Sequence, residues 1–518
     1  MIRSFLTVST GTLASRLLGF LRDSMIAALL GTGPIADAFL VAFQLVNVIR
    51  RLLTEGALNA ALVPVWLRLR ETEGEGAAGR FAGRVLGTIS AVLLLGTLLL
   101  ALLMPLVITG LAPGFTGNDR LRYAVDDARL MLPYLAFAGP TTVLLALASA
   151  QGRFFLTAFS PLLFNIALIA VMLVLILARA DASMVALALA ATIGVAGFLQ
   201  LLVLAMRRGG ERGPMPLRPS LDSEMRGFLA HAAPGMVASS APQLLAVAGA
   251  IIASTSPSAV SWLYFANRLI ELPLGIVGVA MGTVLVPELT RAVRGGDKGA
   301  IAHAESRALE LAVGLALPAA LGLMALSEPI VRLLFEHGAF TSADTEATSR
   351  ALIWLALALP AHVLVKALSP AFFAREDTLG PLSATCTGLV VAIVSAVMLG
   401  HFFGASGIAG GIALGAWSNA LSLIRRGGET FGVSLDPTAR QRLPRLVAAA
   451  LLMGALLWLA TDFAGIFVAN AHRLAQAVIL LAAIGGAIAV YGLFLAAFGV
   501  ADWRQTVNAI TQSDIGGA

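Results

Sequence analysis

Arg16, Arg22 and Asp23, then Asp37, Arg50, Arg51 and Glu55, then Arg268 and Glu271, and last Lys366, all interrupt long apolar runs. An arginine or aspartate at mid-bilayer costs about 2.5–3.5 kcal/mol on insertion scales, so such residues face a partner or a wet cavity. The chemistry on offer is anion recognition. A guanidinium stays protonated and presents a planar fork that matches phosphate oxygens in pairs. Six bases against four acids leave only a small positive excess.

Helical geometry groups these side chains. At about 100° per residue, Ser9, Thr12, Arg16 and Asp23 share one stripe, with Arg22 at its margin. Asp37, Gln44, Arg51, Glu55 and Asn59 share another, which favours Arg51 over Arg50 as the inward residue. Tyr264, Arg268 and Glu271 form a third. Two readings follow. The charges either pair into a stabilising network, as Arg268 and Glu271 can three residues apart, or they line a hydrated substrate cavity. Arg22, Asp23 and Lys366 could instead snorkel to headgroups. Matched polar faces in both halves of the chain favour the cavity.

The elements that must position them are membrane helices. The 518 residues are 58% hydrophobic and 12% charged, about half the charge of a soluble domain, and the mean hydropathy is +0.89. Runs near the 20 residues that a spanning helix needs recur from end to end. Spans are expected near 4–30, 35–66, 82–110, 127–151, 155–178, 183–206, 226–254, 258–288, 308–335, 349–373, 379–402, 406–424, 443–466 and 474–499. The fold class is therefore an all-α integral membrane protein of about fourteen transmembrane helices. Charges at 16, 22 and 23 and the lack of a cleavage motif make the first run a retained span.

Most of the 35 Lys and Arg residues fall on the side holding the N-terminus and the breaks after 68, 207, 291 and 425. The positive-inside rule makes that side cytoplasmic, and an even span number places both termini there. The chain also repeats itself. Leu62-Val63-Pro64 returns as Leu285-Val286-Pro287, Arg84 as Arg307, Phe115-Thr116 as Phe340-Thr341 and Ser160-Pro161 as Gly380-Pro381. Six spans per repeat give two lobes, 1–208 and 222–426, related by a pseudo-two-fold axis along the membrane normal. Two C-terminal spans, 441–500, lie outside it.

Other chemistries find little support. The six histidines are scattered and the lone Cys386 forms no internal disulfide, so no metal site is expected. The basic residues sit in short loops, which excludes a nucleic-acid face. No GxxxxGK[ST] loop occurs, and Gly31-Thr32-Gly33 reads as a turn. An enzyme acting on lipid-linked sugars would need a carboxylate cluster in a large outer loop. Asp119, Asp126 and Asp127 are the nearest to one, in a short stretch shared with Arg120 and Arg122.

The charged residues also carry a resemblance. Ser15-Arg16-Leu17-Leu18-Gly19-Phe20-Leu21-Arg22-Asp23, Ala36-Asp37-Ala38-Phe39 and the stretch Asn47 to Glu55 resemble the N-terminus of the MurJ/MviN family. The run Trp262 to Pro273 is similar to its span 8, and Val365-Lys366 through Ala374-Arg375-Glu376-Asp377 to the end of its span 10. The resemblance implies a lipid II flippase of the MOP exporter superfamily in the bacterial inner membrane. Its two six-helix lobes form a V, and its last two helices form a groove for the lipid tail. It implies substrate-facing roles for Arg16, Arg22, Arg50 and Arg268, with Asp37 an important acid; Arg51, Glu55 and Glu271 join them from periodicity. The implied substrate is undecaprenyl-pyrophosphate-linked disaccharide-pentapeptide, moved to the periplasmic leaflet for peptidoglycan synthesis. Partners would be membrane lipids and the cell-wall machinery. No cofactor is implied, and driving force would come from the membrane potential or a coupling cation. The apolar cores His231–Ser254 and Leu379–Gly400 hold no carboxylate, which argues against the sodium site of some relatives. A drug or O-antigen-type exporter of the same fold and a non-transporting scaffold are the competing readings.

Overall fold

A backbone in hydrocarbon has no water to bond, so each segment must satisfy its own N–H and C=O groups, which a helix does. The computed structural model describes residues 2–54, 57–206, 241–280, 298–373, 379–430, 436–468 and 472–500, with isolated positions (219–220, 225–227, 291–292, 295, 375, 377) between them. Among these residues there is no strand.

The helices are α1 (Ile2–Leu30), α2 (Pro34–Thr54), α3 (Ala57–Thr72), α4 (Glu75–Leu111), α5 (Asp119–Met131), α6 (Pro133–Ala150), α7 (Phe154–Leu177), α8 (Ala182–Met206), α9 (Ala241–Ala253), α10 (Ala259–Ala280), α11 (Lys298–Ala325), α12 (Ser327–Phe335), α13 (Ser342–Phe373), α14 (Leu379–Thr430), α15 (Pro437–Val468) and α16 (Arg473–Ala497). A 3-10 turn, Pro113–Phe115, follows α4. Among the described residues, nine helices are long and apolar enough to cross a membrane. One of them, α14, runs 52 residues and breaks at Gly404 (φ +58°), so it supplies two spans, as the separate runs at 379–402 and 406–424 require.

Several helices begin earlier than the apolar runs. The α4 helix starts at Glu75 rather than near 82, and α11 at Lys298 rather than near 308. Charged and alanine-rich turns are good helix formers and carry the helix beyond the hydrocarbon. Likewise α5 and α6 pass into each other through a helical Leu132, forming one span, Asp119–Ala150.

Contacts divide the chain into two compact units. The first holds Met1–Tyr264 and Phe335–Thr341, the second Phe265–Leu334 and Ser342–Ala518. In the first, α1 packs on α7, α2 on α5, and α6 on both α4 and α8. Leu62, Trp66, Phe81, Leu86, Val143 and Leu147 make one of its cores. In the second, α13 packs on α11 and α14, and α15 on α11 and α16. Outward faces such as Leu95, Leu98, Leu102 and Leu106 of α4 stay exposed, as lipid-facing surface does.

Two devices hold the second unit together where hydrophobicity gives no preference between helix and lipid. The halves of α14 fold back at Gly404 through small residues four apart. A Cβ at Gly415 would stand 2.6 Å from the Gly388 carbonyl oxygen, and one at Gly411 would strike Ala396. Such stripes let backbones approach closely. Proline supplies the other device. Pro318 cannot donate to the Gly314 carbonyl, and the Tyr491 hydroxyl of α16 donates to it instead at 2.8 Å. Pro105 frees the Ala101 carbonyl in the first unit in the same way, and Arg129 Nε donates to it at 3.2 Å.

Candidate functional site

The first unit carries most of the charged residues singled out above. Arg22 and Asp23 are buried, at 7% and 0% exposure, and do not snorkel. Arg22 Nε and Nη2 donate to one oxygen of Asp23 at 2.9 and 2.6 Å. Its Nη1 donates to Asn165 Oδ1 of α7 at 3.0 Å. Asn165 donates in turn to the Ser15 carbonyl at 3.2 Å. The rings of Phe43 and Phe164 lie 5.2 and 5.6 Å from the guanidinium carbon, within cation–π range. Tyr264 OH donates to Asp23 at 3.4 Å. Adjacent residues on a helix point about 100° apart, yet Arg22 reaches Asp23 because its side chain is long enough to curl around the helix. Asn165 was missed by the sequence reading, since a single amide in an apolar run carries no periodic signal.

Arg16 lies two turns from Asp23 on the same face of α1 and is half-buried. Arg50 and Arg51 are both half-buried near the end of α2, and Arg50 Nη2 donates to Asn47 Oδ1 at 3.4 Å. Glu55 and the side chains of Ser9, Thr12 and Asn59 lie outside the described residues.

Asp37 takes a different position from the one its stripe implies. It is fully buried in the first turn of α2 and accepts Ser258 N–H at 2.9 Å, Ser261 N–H at 3.0 Å and Ser261 Oγ–H at 2.6 Å. It thus caps α10 from another helix, satisfying N–H groups that have no partner within α10. Its charge also meets the positive ends of two helix dipoles.

Three close backbone approaches surround this cap. Ala339 N–H donates to the Ala28 carbonyl at 2.8 Å. Gly31 and Gly338 both hold positive φ there, +60° and +58°, and a Cβ on Gly31 would come within 2.5 Å of the Ala339 oxygen. Gly114 N–H donates to Ser254 Oγ at 3.1 Å. The Gly31-Thr32-Gly33 turn is therefore also a docking point for the segment 335–341.

In the second unit, Arg268 Nη1 donates to Glu271 Oε2 at 2.7 Å along one face of α10, with both side chains partly exposed. Lys366 is exposed on α13. Arg375 pairs with the buried Glu305 at 3.3 Å. Asp436, ahead of α15, accepts Thr438 N–H at 2.7 Å and meets His303 Nδ1 at 3.1 Å; the Thr438 amide and then His303 hold its carboxyl below the usual range. Among the described residues no three His, Cys, Asp or Glu side chains converge as metal ligands do. Asp119, Asp126 and Asp127 do not form a cluster either: Asp126 is half exposed while Asp127 is buried.

The family model described as lipid II flippase MurJ matches residues 26–476. A probable lipid II flippase MurJ of Rhizobium meliloti (strain 1021) is 39% identical over 509 residues, covering 96% of this chain and 94% of its own. The lipid II flippase MurJ of Burkholderia cenocepacia is 31% identical over 472 residues, covering 89% and 91%. Among solved structures, a lipid II flippase MurJ in an inward closed conformation superposes with a TM-score of 0.79 at 22% identity, covering 97% of this chain and 100% of that one. An inward-facing multidrug resistance MATE transporter of the MOP superfamily gives 0.66 at 16% identity, over 83% and 95%. These likenesses show the fold.

Proposed function

The chain belongs to the lipid II flippase MurJ family, and from that premise we propose that it moves lipid-linked peptidoglycan precursor from the cytoplasmic to the periplasmic leaflet by alternating access. The family match along 26–476 carries the reading. This is a family of multi-pass membrane transporters rather than catalysts, and no bond is made or broken in the step proposed.

The substrate's sugar-peptide head and pyrophosphate cannot enter hydrocarbon without replacement of their hydration. Arg16, Arg50, Arg51 and Arg268 supply that replacement, while Arg22 acts through the network that it forms with Asp23 and Asn165. Glu271 keeps the Arg268 guanidinium oriented, and Glu55 with it limits the net charge. The lobes 1–208 and 222–426 are the moving bodies, and the polyprenyl tail stays in lipid against 441–500.

With both termini cytoplasmic, Gly31, Gly114, Ser258 and Gly338 lie at the periplasmic ends of their helices. The Asp37 cap and the glycine approaches then lie on the periplasmic side, and breaking them is a step of outward opening. The sequence has no GxxxxGK[ST] phosphate-binding loop, and fixed positive charge couples to the membrane potential at about 2.3 kcal/mol per charge per 100 mV traversed.

The test is complementation in cells depleted of their own flippase, scoring precursor on the outer leaflet at matched membrane expression. Wild type restores it and Arg268→Ala does not. Failure of a correctly inserted wild type would overturn the lipid II assignment in favour of another cargo.

A further inference from the structure

One buried ionisable group has no part in the scheme above. Asp127 sits in α5 at 2% exposure, flanked on its own helix by the buried Ala124, Val125, Ala128 and Met131. Among the described residues it makes no hydrogen bond or ion pair, and the charge that acts on it is the like-signed carboxylate of Asp126. Every other acid discussed above that is this deeply buried has a partner: Asp23 has Arg22, Asp37 has Ser258 and Ser261, and Glu305 has Arg375.

The elements packed on α5 offer no rescue. They are α2, α8, α4, α6 and the 3-10 turn. Neither α8 nor the turn has an ionisable side chain. On α2 the acid Asp37 is already saturated, and Arg50 and Arg51 lie 13 and 14 residues beyond it, roughly 20 Å along the helix. Tyr134 of α6 donates to Gln200. Glu75, Arg80 and Arg84 of α4 precede Ala101, which touches α5, by 17 residues or more, roughly 25 Å. On α5 itself, Arg120 lies against the Phe115 ring, Arg122 faces solvent near Asp126, and Arg129 is on the Ala101 carbonyl; Asp119 and Tyr123 are exposed.

A carboxylate so placed would keep little of its water, with neither a hydrogen bond nor a counter-charge in return. A metal ion would need several oxygen ligands, and no three metal-ligating side chains converge among the described residues. A proton needs only the one oxygen. We propose that Asp127 is a proton-binding site, occupied in this conformation, whose proton leaves when the packing of α2, α5 and α8 opens to water. Proton binding is then linked to conformation, since a ligand that favours one state is released by the other. Only the connection of this linkage to transport rests on the flippase reading.

Infrared difference spectroscopy of the protein in lipid nanodiscs tests the site without any flipping assay. Wild type at neutral pH shows the carbonyl stretch of a protonated carboxylic acid that Asp127→Asn lacks and Asp127→Glu moves. The absence of any such difference overturns the proposal, as does its replacement by a sodium-dependent rise in thermal stability. Hydrogen exchange across 119–131 tests the linkage. After correction for intrinsic rates, protection in wild type falls at least about tenfold as the band titrates away, while Asp127→Asn stays flat. Equal profiles in the two proteins overturn the linkage even where the band is present.

Discussion

At the scale of single residues, the charges in this membrane protein divide by what they touch. Arg22 uses Nε, Nη1 and Nη2 together and is sandwiched by two rings. Lysine brings one point charge and no fork. Arg22→Lys therefore loses at least one charged hydrogen bond, worth about 1.5–3 kcal/mol. Thermal unfolding in detergent registers this as a lower midpoint, and flipping falls about tenfold or more at matched expression. Asp37 acts as a cap. Asp37→Ala leaves the Ser258 and Ser261 N–H groups at the start of α10 without their acceptor, costing about 0.5–2 kcal/mol, and hydrogen exchange at 258–261 rises accordingly. Asp37→Asn keeps an acceptor oxygen but gives up the charge that the helix ends favour, so its effect is smaller. An unchanged exchange pattern in the alanine variant would remove the cap from the account.

At the scale of elements, helices are held to one another by close backbone approach and by carbonyls that prolines leave unpaired. A side chain at Gly415 meets the Gly388 oxygen and Ala392, so Gly415→Val forces the halves of α14 apart at about 1–3 kcal/mol. Lower yield of folded protein and faster proteolysis near Gly404 are the expected readouts. Tyr491→Phe removes the hydroxyl that satisfies the Gly314 carbonyl. Helix–helix hydrogen bonds in bilayers average about 0.6 kcal/mol with a maximum near 1.7, so the variant folds but α16 exchanges faster. Asp436 behaves as a depressed carboxylate does. Its contribution is present above the unfolded acid's pKa and is lost as pH falls through the lower folded value, so amides at the start of α15 lose protection on acidification below about pH 4. Asp436→Ala shows that loss already at neutral pH.

At the scale of the whole molecule, membership of the MurJ family and a chain of membrane-spanning helices fix the class of activity, and the proposed dependence on the membrane potential is open to a direct test. Fixed arginines that traverse part of the field are sensitive to voltage. Collapsing the potential in right-side-out vesicles with an ionophore is expected to abolish flipping while leaving the protein folded; undiminished flipping would exclude the potential as the driving force.

Much of this was legible in the sequence, for identifiable reasons. Apolar runs fix where helices cross, because a bilayer imposes length and apolarity on each span independently of its neighbours. The charged residues stood out because hydrocarbon makes them costly wherever they pack. The Arg268–Glu271 pair was readable because three residues is local geometry. Partners distant along the chain were not. That Asp37 caps α10 depends on residues more than 220 positions away, that Arg22 meets Asn165 depends on α7, and that Gly31 admits Ala339 depends on two turns meeting. The buried state of Asp127 depends on what α2 and α8 lay over it. Sequence periodicity records which face of a helix is polar. Which partner that face meets is set by how the helices pack against one another, and only the tertiary structure decides it.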